Sequence, residues 1–138
     1  MKPDTSIYLH IPFCKHRCAY CDFNTYAGQE ALIPDYVNAL IREIEFIGDQ
    51  KPDFNVPTIF FGGGTPSLLS GPQFDSIMSA LTSAFALSAD AEVTIEANPG
   101  TISPAKLDSI RKAGINRISF GVQDFDPAVQ HAVNRVQP

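Results

Sequence analysis

Residues 8–23 read YLHIPFCKHRCAYCDF, and the way this stretch begins, together with what it runs into, decides the fold. Ile7 to Ile11 alternate in character, with Ile7, Leu9 and Ile11 on one face and Tyr8 and His10 on the other, which predicts a half-buried strand. The strand opens directly onto Cys14-Lys15-His16-Arg17-Cys18-Ala19-Tyr20-Cys21, which holds all three cysteines of the chain. An odd number of thiols cannot close completely into intramolecular disulfides, whereas three thiolates at C-x3-C-x2-C spacing can converge on one metal centre. Two kinds of centre suit the count. A tetrahedral zinc would take His10 or His16 as its fourth ligand. An iron-sulfur cluster normally takes four cysteines, so three leave one iron open to a cofactor or substrate.

Beyond the loop, helical and strand periods alternate. Ile33, Val37, Leu40, Ile44 and Ile47 predict an amphipathic helix, with Pro34 in its first turn and Gly48 as its stop. Thr58 to Phe61 predicts a strand closed by Gly62-Gly63-Gly64. Ser70-Gly71-Pro72-Gln73 fits a capping box, followed by the apolar stripe Phe74, Ile77, Met78, Leu81 and Phe85. Val93 to Ala97 predicts a third strand, ended by the turn signal Asn98-Pro99-Gly100. Ser103-Pro104 opens a third helix that buries Leu107 and Ile110 and ends at Gly114. Arg117 to Val122 predicts a fourth strand, and Asp126-Pro127 starts a fourth helix carrying Arg135.

The order β-α-β-α-β-α-β-α predicts an α/β fold with a parallel sheet and right-handed crossovers, as a barrel or a doubly wound sheet. The chemically distinctive residues fall at the C-terminal ends of the predicted strands, where parallel barrels hold their active sites. The cysteine loop follows strand one, the triple glycine follows strand two, Glu96 ends strand three and Gln123 ends strand four. Parity places Tyr8, Gly62, Glu96 and Gln123 together, opposite Ile7/Leu9, Ile59, Val93/Ile95 and Ile118/Val122. In a barrel that shared face is the lumen.

Three glycines remove side chains so that backbone can touch a ligand, and neither G-x-G-x-x-G nor a P-loop lysine is present to make the loop a phosphate site. A carboxylate such as Glu96 at the lumen end of a strand needs a cationic or hydroxyl-bearing partner. Lys15-His16-Arg17 reads as a solvated charge run or as a patch that raises the potential of an anionic cluster and receives an acidic electron donor.

At 138 residues and 44% hydrophobic, the chain predicts one domain spanning 1–138, without linker or repeat. Its net charge of −5 argues against a general role on nucleic acid, where a basic face is expected. No apolar run approaches the ~20 residues of a membrane span, and no signal peptide precedes the first strand. Free thiols then suit the reducing cytoplasm.

The stretch from Tyr8 to Phe23 resembles the cluster loop of the radical S-adenosylmethionine (SAM) superfamily. With FFGGGTPSLL at 60–69, IEANPGT at 95–101 and RISFGVQDFD at 117–126, the set is similar to oxygen-independent coproporphyrinogen III dehydrogenase and its haem-chaperone relatives. The resemblance covers nearly the whole chain. It implies a partial TIM-type barrel of about six β/α units, of which residues 1–138 form the first four, the N-terminal part of a longer protein. It further implies a [4Fe-4S] cluster on Cys14, Cys18 and Cys21, with SAM chelating the open iron and cleaved by one electron to a 5'-deoxyadenosyl radical. By the same resemblance Tyr8, Tyr20, Gly63, Gly64, Thr65, Glu96, Gln123 and Arg135 contact SAM. The implied partners are haem or a porphyrinogen and a flavodoxin- or ferredoxin-type electron donor. Phe23 stands where the decarboxylating branch carries a further cysteine, which points to the chaperone branch, with haem as cargo. VQDFDPAVQHAVNRVQ at 122–137 is closer to the decarboxylating branch, which keeps the dehydrogenase as the alternative.

Overall fold

The computed structural model describes residues 2–50 and 53–135. Its centre is a four-stranded, all-parallel sheet in the order β1 (Ile7–Ile11), β4 (Asn55–Gly63), β5 (Ala86–Ala97), β6 (Arg117–Phe120). The helices α1 (Ile33–Gln50), α2 (Gly71–Ala84) and α3 (Pro104–Lys112) connect successive strands, and α4 (Pro127–Ala132) follows the last. This is the expected parallel α/β alternation. Two short strands, β2 (Phe13–Cys14) and β3 (Tyr26–Ala27), pair across the cysteine loop and close its base. They are too short to leave a periodic signal.

Register explains how one sheet face becomes core and the other lumen. Leu9 pairs with Phe61, which pairs with Ile95, and these residues, with Ile11, Ile59 and Val93, are buried under the helices. Their neighbours Tyr8, His10, Phe60, Gly62 and Glu96 take the opposite face by strand alternation. The helix layer adds Val37, Leu40 and Ile44 from α1 and Phe74, Ile77 and Leu81 from α2. At about 25 cal/mol per Å2 of apolar surface, each such side chain contributes roughly 1.5–3 kcal/mol, which makes this layer the main source of stability.

The helix starts follow their sequence signals. Ser70 and Gln73 form both halves of a capping box, Ser103 accepts from the Lys106 amide, and Asp126 accepts from the Ala128 amide. Four expectations are corrected. Gly48 does not stop α1 but lies buried inside it, because a Cβ there would meet the Ala84 Cβ at 2.6 Å. That close helix contact turns the buried stripe onto Gly48 and leaves Ile47 43% exposed. Leu107 is 40% exposed, whereas Ile110 is 1% exposed and is the buried residue of α3. Finally, β6 ends at Phe120 rather than at residue 122, since beyond it the Val122 amide bonds back to the Phe120 carbonyl.

Candidate functional site: a cysteine-lined cavity at the strand ends

The site forms where β1 and β4 finish side by side. Gly64 donates its amide to the Ile11 carbonyl at 2.8 Å, and Thr65 donates to the Phe13 carbonyl at 2.7 Å, so the glycine loop is stitched onto the start of the cysteine loop. A Cβ on Gly64 would stand 2.6 Å from the Phe13 oxygen and 3.0 Å from the Cys14 sulfur. Gly63, at φ +109°, leaves room for the His10 ring, 2.6 Å from where its Cβ would be. Close backbone approach therefore requires glycine at both positions.

His10 ties the two loops together. Its Nε2 lies 2.8 Å from the Asn24 carbonyl, which can only accept, so Nε2 carries the proton and Nδ1 accepts from the Tyr8 hydroxyl at 3.0 Å. Tyr36 of α1 donates to the His10 carbonyl from behind. With both ring nitrogens engaged, His10 is withdrawn from the Cys3His zinc set considered above.

A cavity of about 400 Å3 opens over these loops. Cys14, Cys18 and Cys21 line it together with Gly63, Gly64 and Thr65, and so do Tyr20, Glu96, Gln123 and Arg135. Of the expected site residues, Tyr8 is missing from this lining among the described residues. It stands on the same sheet face, stacked with Phe60, and a Cβ on Gly62 would touch both the Tyr8 ring and the Glu96 carboxylate. Burial and the nearby Glu96 charge raise the Tyr8 pKa above the ordinary tyrosine value.

Two placements differ from expectation. Gln123 lies three residues past β6 with φ +68°, so a left-handed turn rather than strand parity presents it to the cavity. Arg135 lies past the end of α4, where it is clamped onto the cysteine loop. Its Nη1 donates to Cys18 Sγ at 3.5 Å, and its Nη2 donates to Asn98 Oδ1 at 2.7 Å and to the Gly121 carbonyl. Beside it, the Ala19 amide bonds to the Val133 carbonyl and the Asn134 side chain to the Arg17 carbonyl. The residue that sequence reasoning missed is Asn98, read there only as a turn signal.

The cysteines differ in setting. Cys14 is buried, and that burial pushes its thiol up; hydrogen bonds from Thr65 and Thr25 oppose the shift, and negative charge on the Cys21 and Cys18 sulfurs adds to it. Cys18 and Cys21 are partly exposed. Among the described residues, no three His, Cys, Asp or Glu side chains stand as a set that would hold a single metal ion. A polynuclear cluster, which takes its thiolates on separate irons, fits the donor chemistry of three soft ligands around one cavity. The buried Arg135 Nε, without a hydrogen-bond partner among the described residues, is a donor that a bound acceptor group would satisfy.

Parallel β/α units with a three-cysteine loop at the strand ends define the class, and the comparison with known proteins agrees. Residues 8–138 match the radical SAM superfamily, and the chain belongs to it. It is 42% identical to the haem chaperone HemW of Escherichia coli K12 over 135 residues, covering 97% of this chain and 36% of the relative. It is 39% identical to the oxygen-independent coproporphyrinogen III oxidase of a Synechocystis strain over 142 residues, covering 99% of this chain and 30% of the relative. The solved structure of E. coli coproporphyrinogen III oxidase, HemN, described as a radical SAM enzyme, superposes with a TM-score of 0.91 at 38% identity. The match covers 99% of this chain and 32% of that one. The chain thus spans about a third of the length of these relatives. No helix among the described residues is long and apolar enough to cross a membrane.

Proposed function

We propose that this chain holds a [4Fe-4S] cluster on Cys14, Cys18 and Cys21 with SAM beside it, in a protein of haem or porphyrin metabolism that handles haem as a chaperone does. The observation carrying this reading is that one cavity gathers all three cysteines, the glycine loop, Glu96, Gln123 and Arg135. When bound, the cluster supplies the electron for reductive SAM cleavage. The protein's own groups hold and orient. The Gly64 and Thr65 amides are engaged with β1 and β2, and the Thr65 carbonyl accepts from the Leu68 amide, so the glycine carbonyls of the loop are the groups assigned to accept from the SAM amino end. Glu96, Gln123 and Tyr20 offer further polar contacts around the cavity. Exposed Lys15, His16 and Arg17 flank the cysteines and suit an acidic flavodoxin- or ferredoxin-type donor. In this reading residues 1–138 are the first four units of a longer barrel working in the cytoplasm.

Phe23, exposed at the cavity where the decarboxylating branch has cysteine, favours the chaperone over the oxidase. The oxidase remains the second reading, favoured by the similarity of the 122–137 segment, whose residues 136 and 137 lie outside the described residues. Anaerobic reconstitution is expected to give about four irons, the stoichiometry of the cubane cluster, lost in Cys14→Ala, Cys18→Ala or Cys21→Ala. SAM should alter the electron paramagnetic resonance spectrum of the reduced cluster. One tightly held zinc without charge-transfer absorption would end the iron-sulfur reading. Haem binding without conversion of coproporphyrinogen III to protoporphyrinogen IX is expected, and formation of the two-vinyl product would select the oxidase instead.

A further inference from the structure

Two hydrogen-bond chains leave the Asn98 side chain and end on two different cysteine sulfurs. Asn98 Nδ2 donates to Thr65 Oγ1 at 3.2 Å, and Thr65 Oγ1 donates to Cys14 Sγ at 3.7 Å. On the other side Asn98 Oδ1 accepts from Arg135 Nη2 at 2.7 Å, and Arg135 Nη1 donates to Cys18 Sγ at 3.5 Å. The amide orientation follows from chemistry, because guanidinium has donors only and so must face Oδ1. The Asn98 backbone is held too, since the Thr101 hydroxyl and amide both donate to its carbonyl, at 2.6 and 3.2 Å. Thr65 is 2% exposed, and solvent cannot readily substitute for either of its partners.

A hydroxyl has one proton. While the Asn98 amide donates to the Thr65 oxygen, that proton is directed at Cys14. We propose that Asn98 is a positioning residue that sets the Thr65 hydroxyl as a donor to Cys14 and steadies Arg135 as a donor to Cys18, thereby holding up the reduction potential of the cluster these cysteines carry. The inference rests on the cluster reading above. Hydrogen bonds to ligating sulfur stabilise the more negative, reduced state, so each bond raises the potential.

The test is a potentiometric titration of the reconstituted protein, followed by absorbance and paramagnetic resonance, for wild type, Thr65→Val, Thr65→Ser, Asn98→Asp and the Thr65→Val/Asn98→Asp pair. An aspartate at 98 accepts from the Thr65 hydroxyl and draws its proton off Cys14, while still accepting from Arg135. Thr65→Val and Asn98→Asp are expected to lower the potential, and Thr65→Ser to restore it. The Asn98→Asp shift is expected to be smaller in the Thr65→Val background, where no proton remains to redirect. An added charge acting alone would shift both backgrounds equally, and that result overturns the proposal, as does a wild-type potential in Thr65→Val. Should wild type hold no four-iron cluster, the cluster reading fails and takes the potential effect with it. Urea unfolding of the metal-free chain separates the two failures: coupling between the substitutions keeps the Asn98–Thr65 bond, and strict additivity removes that as well.

Discussion

Arg135 donates to the sulfur of Cys18 although the two stand 117 positions apart in the sequence. The contact joins the segment after α4 to the loop after β1 and closes the cavity on that side. Arg135→Ala is expected to leave the sheet intact and to speed loss of the reconstituted cluster to a chelator by at least about tenfold, given ~1.5–3 kcal/mol for a charge-assisted hydrogen bond. Arg135→Lys, which keeps the charge but not the fork, should fall between. Equal rates in wild type and Arg135→Ala would show that the clamp does not hold the site.

Gly64→Ala places a methyl 2.6 Å from the Phe13 carbonyl oxygen, which is backbone and cannot rotate away. The loops must part, at a cost of roughly 1–3 kcal/mol. Because the strain falls at the site rather than in the helix layer, circular dichroism should stay near wild type while iron incorporation drops. Full incorporation in Gly64→Ala would contradict the close approach.

For Gly48→Ala two effects oppose one another. Alanine favours a helix interior by ~1 kcal/mol over glycine, but its Cβ would lie 2.6 Å from that of Ala84, an overlap costing roughly 1–3 kcal/mol. Net destabilisation is expected in urea unfolding, with Ala84→Gly partly rescuing it. A stabilised Gly48→Ala would mean that α1 and α2 separate easily.

Burial, then the Glu43 and Tyr8 charges, raise the Tyr36 pKa above the ordinary tyrosine value of about 10. A raised acid stays protonated in the folded chain where it ionises in the unfolded one, so the folded state binds more protons and stability falls as pH rises past 10. Below that pH the contribution is fully present. Tyr36→Phe should cost about 1 kcal/mol near neutrality through the lost bond to the His10 carbonyl, yet flatten the alkaline decline. Tyr8 and Tyr20 shift in the same direction, so flattening rather than abolition is the expected result. An unchanged alkaline slope would remove Tyr36 from the account.

What could be read from the sequence was local. The β1 alternation from Ile7 to Ile11, the Ser70/Gln73 capping box and the caps at Ser103 and Asp126 depend on neighbours within a few residues, and each stands where the pattern put it. The placing of the cysteine loop, the triple glycine and Glu96 around one cavity was legible because the ends of neighbouring parallel strands lie side by side, whereas Gln123 is brought in by a turn past β6, Arg135 comes from beyond α4, and Tyr8 stands outside the lining. Gly48 misled because a glycine closing an amphipathic stretch looks like a stop signal, and only Ala84 on another helix shows otherwise. Leu107 keeps helical spacing but lies beyond the reach of the core that Ile110 fills. Asn98 does form the expected turn, yet its second task lies in side-chain bonds to residues 33 and 37 positions away.

The two-residue period of β1 makes its length a stricter constraint than its composition. A substitution at Leu9 or Tyr8 alters one contact and can be absorbed by degrees. Deleting Leu9 would instead turn over the part of the strand that follows it, sending His10 under the helices and Ile11 into the lumen. The same deletion would draw Cys14 back by the rise of one residue, about 3.3 Å, from the glycine loop that receives it. In this segment insertions and deletions are therefore all-or-none events, and the reading frame of the strand is as much a part of the site as its cysteines.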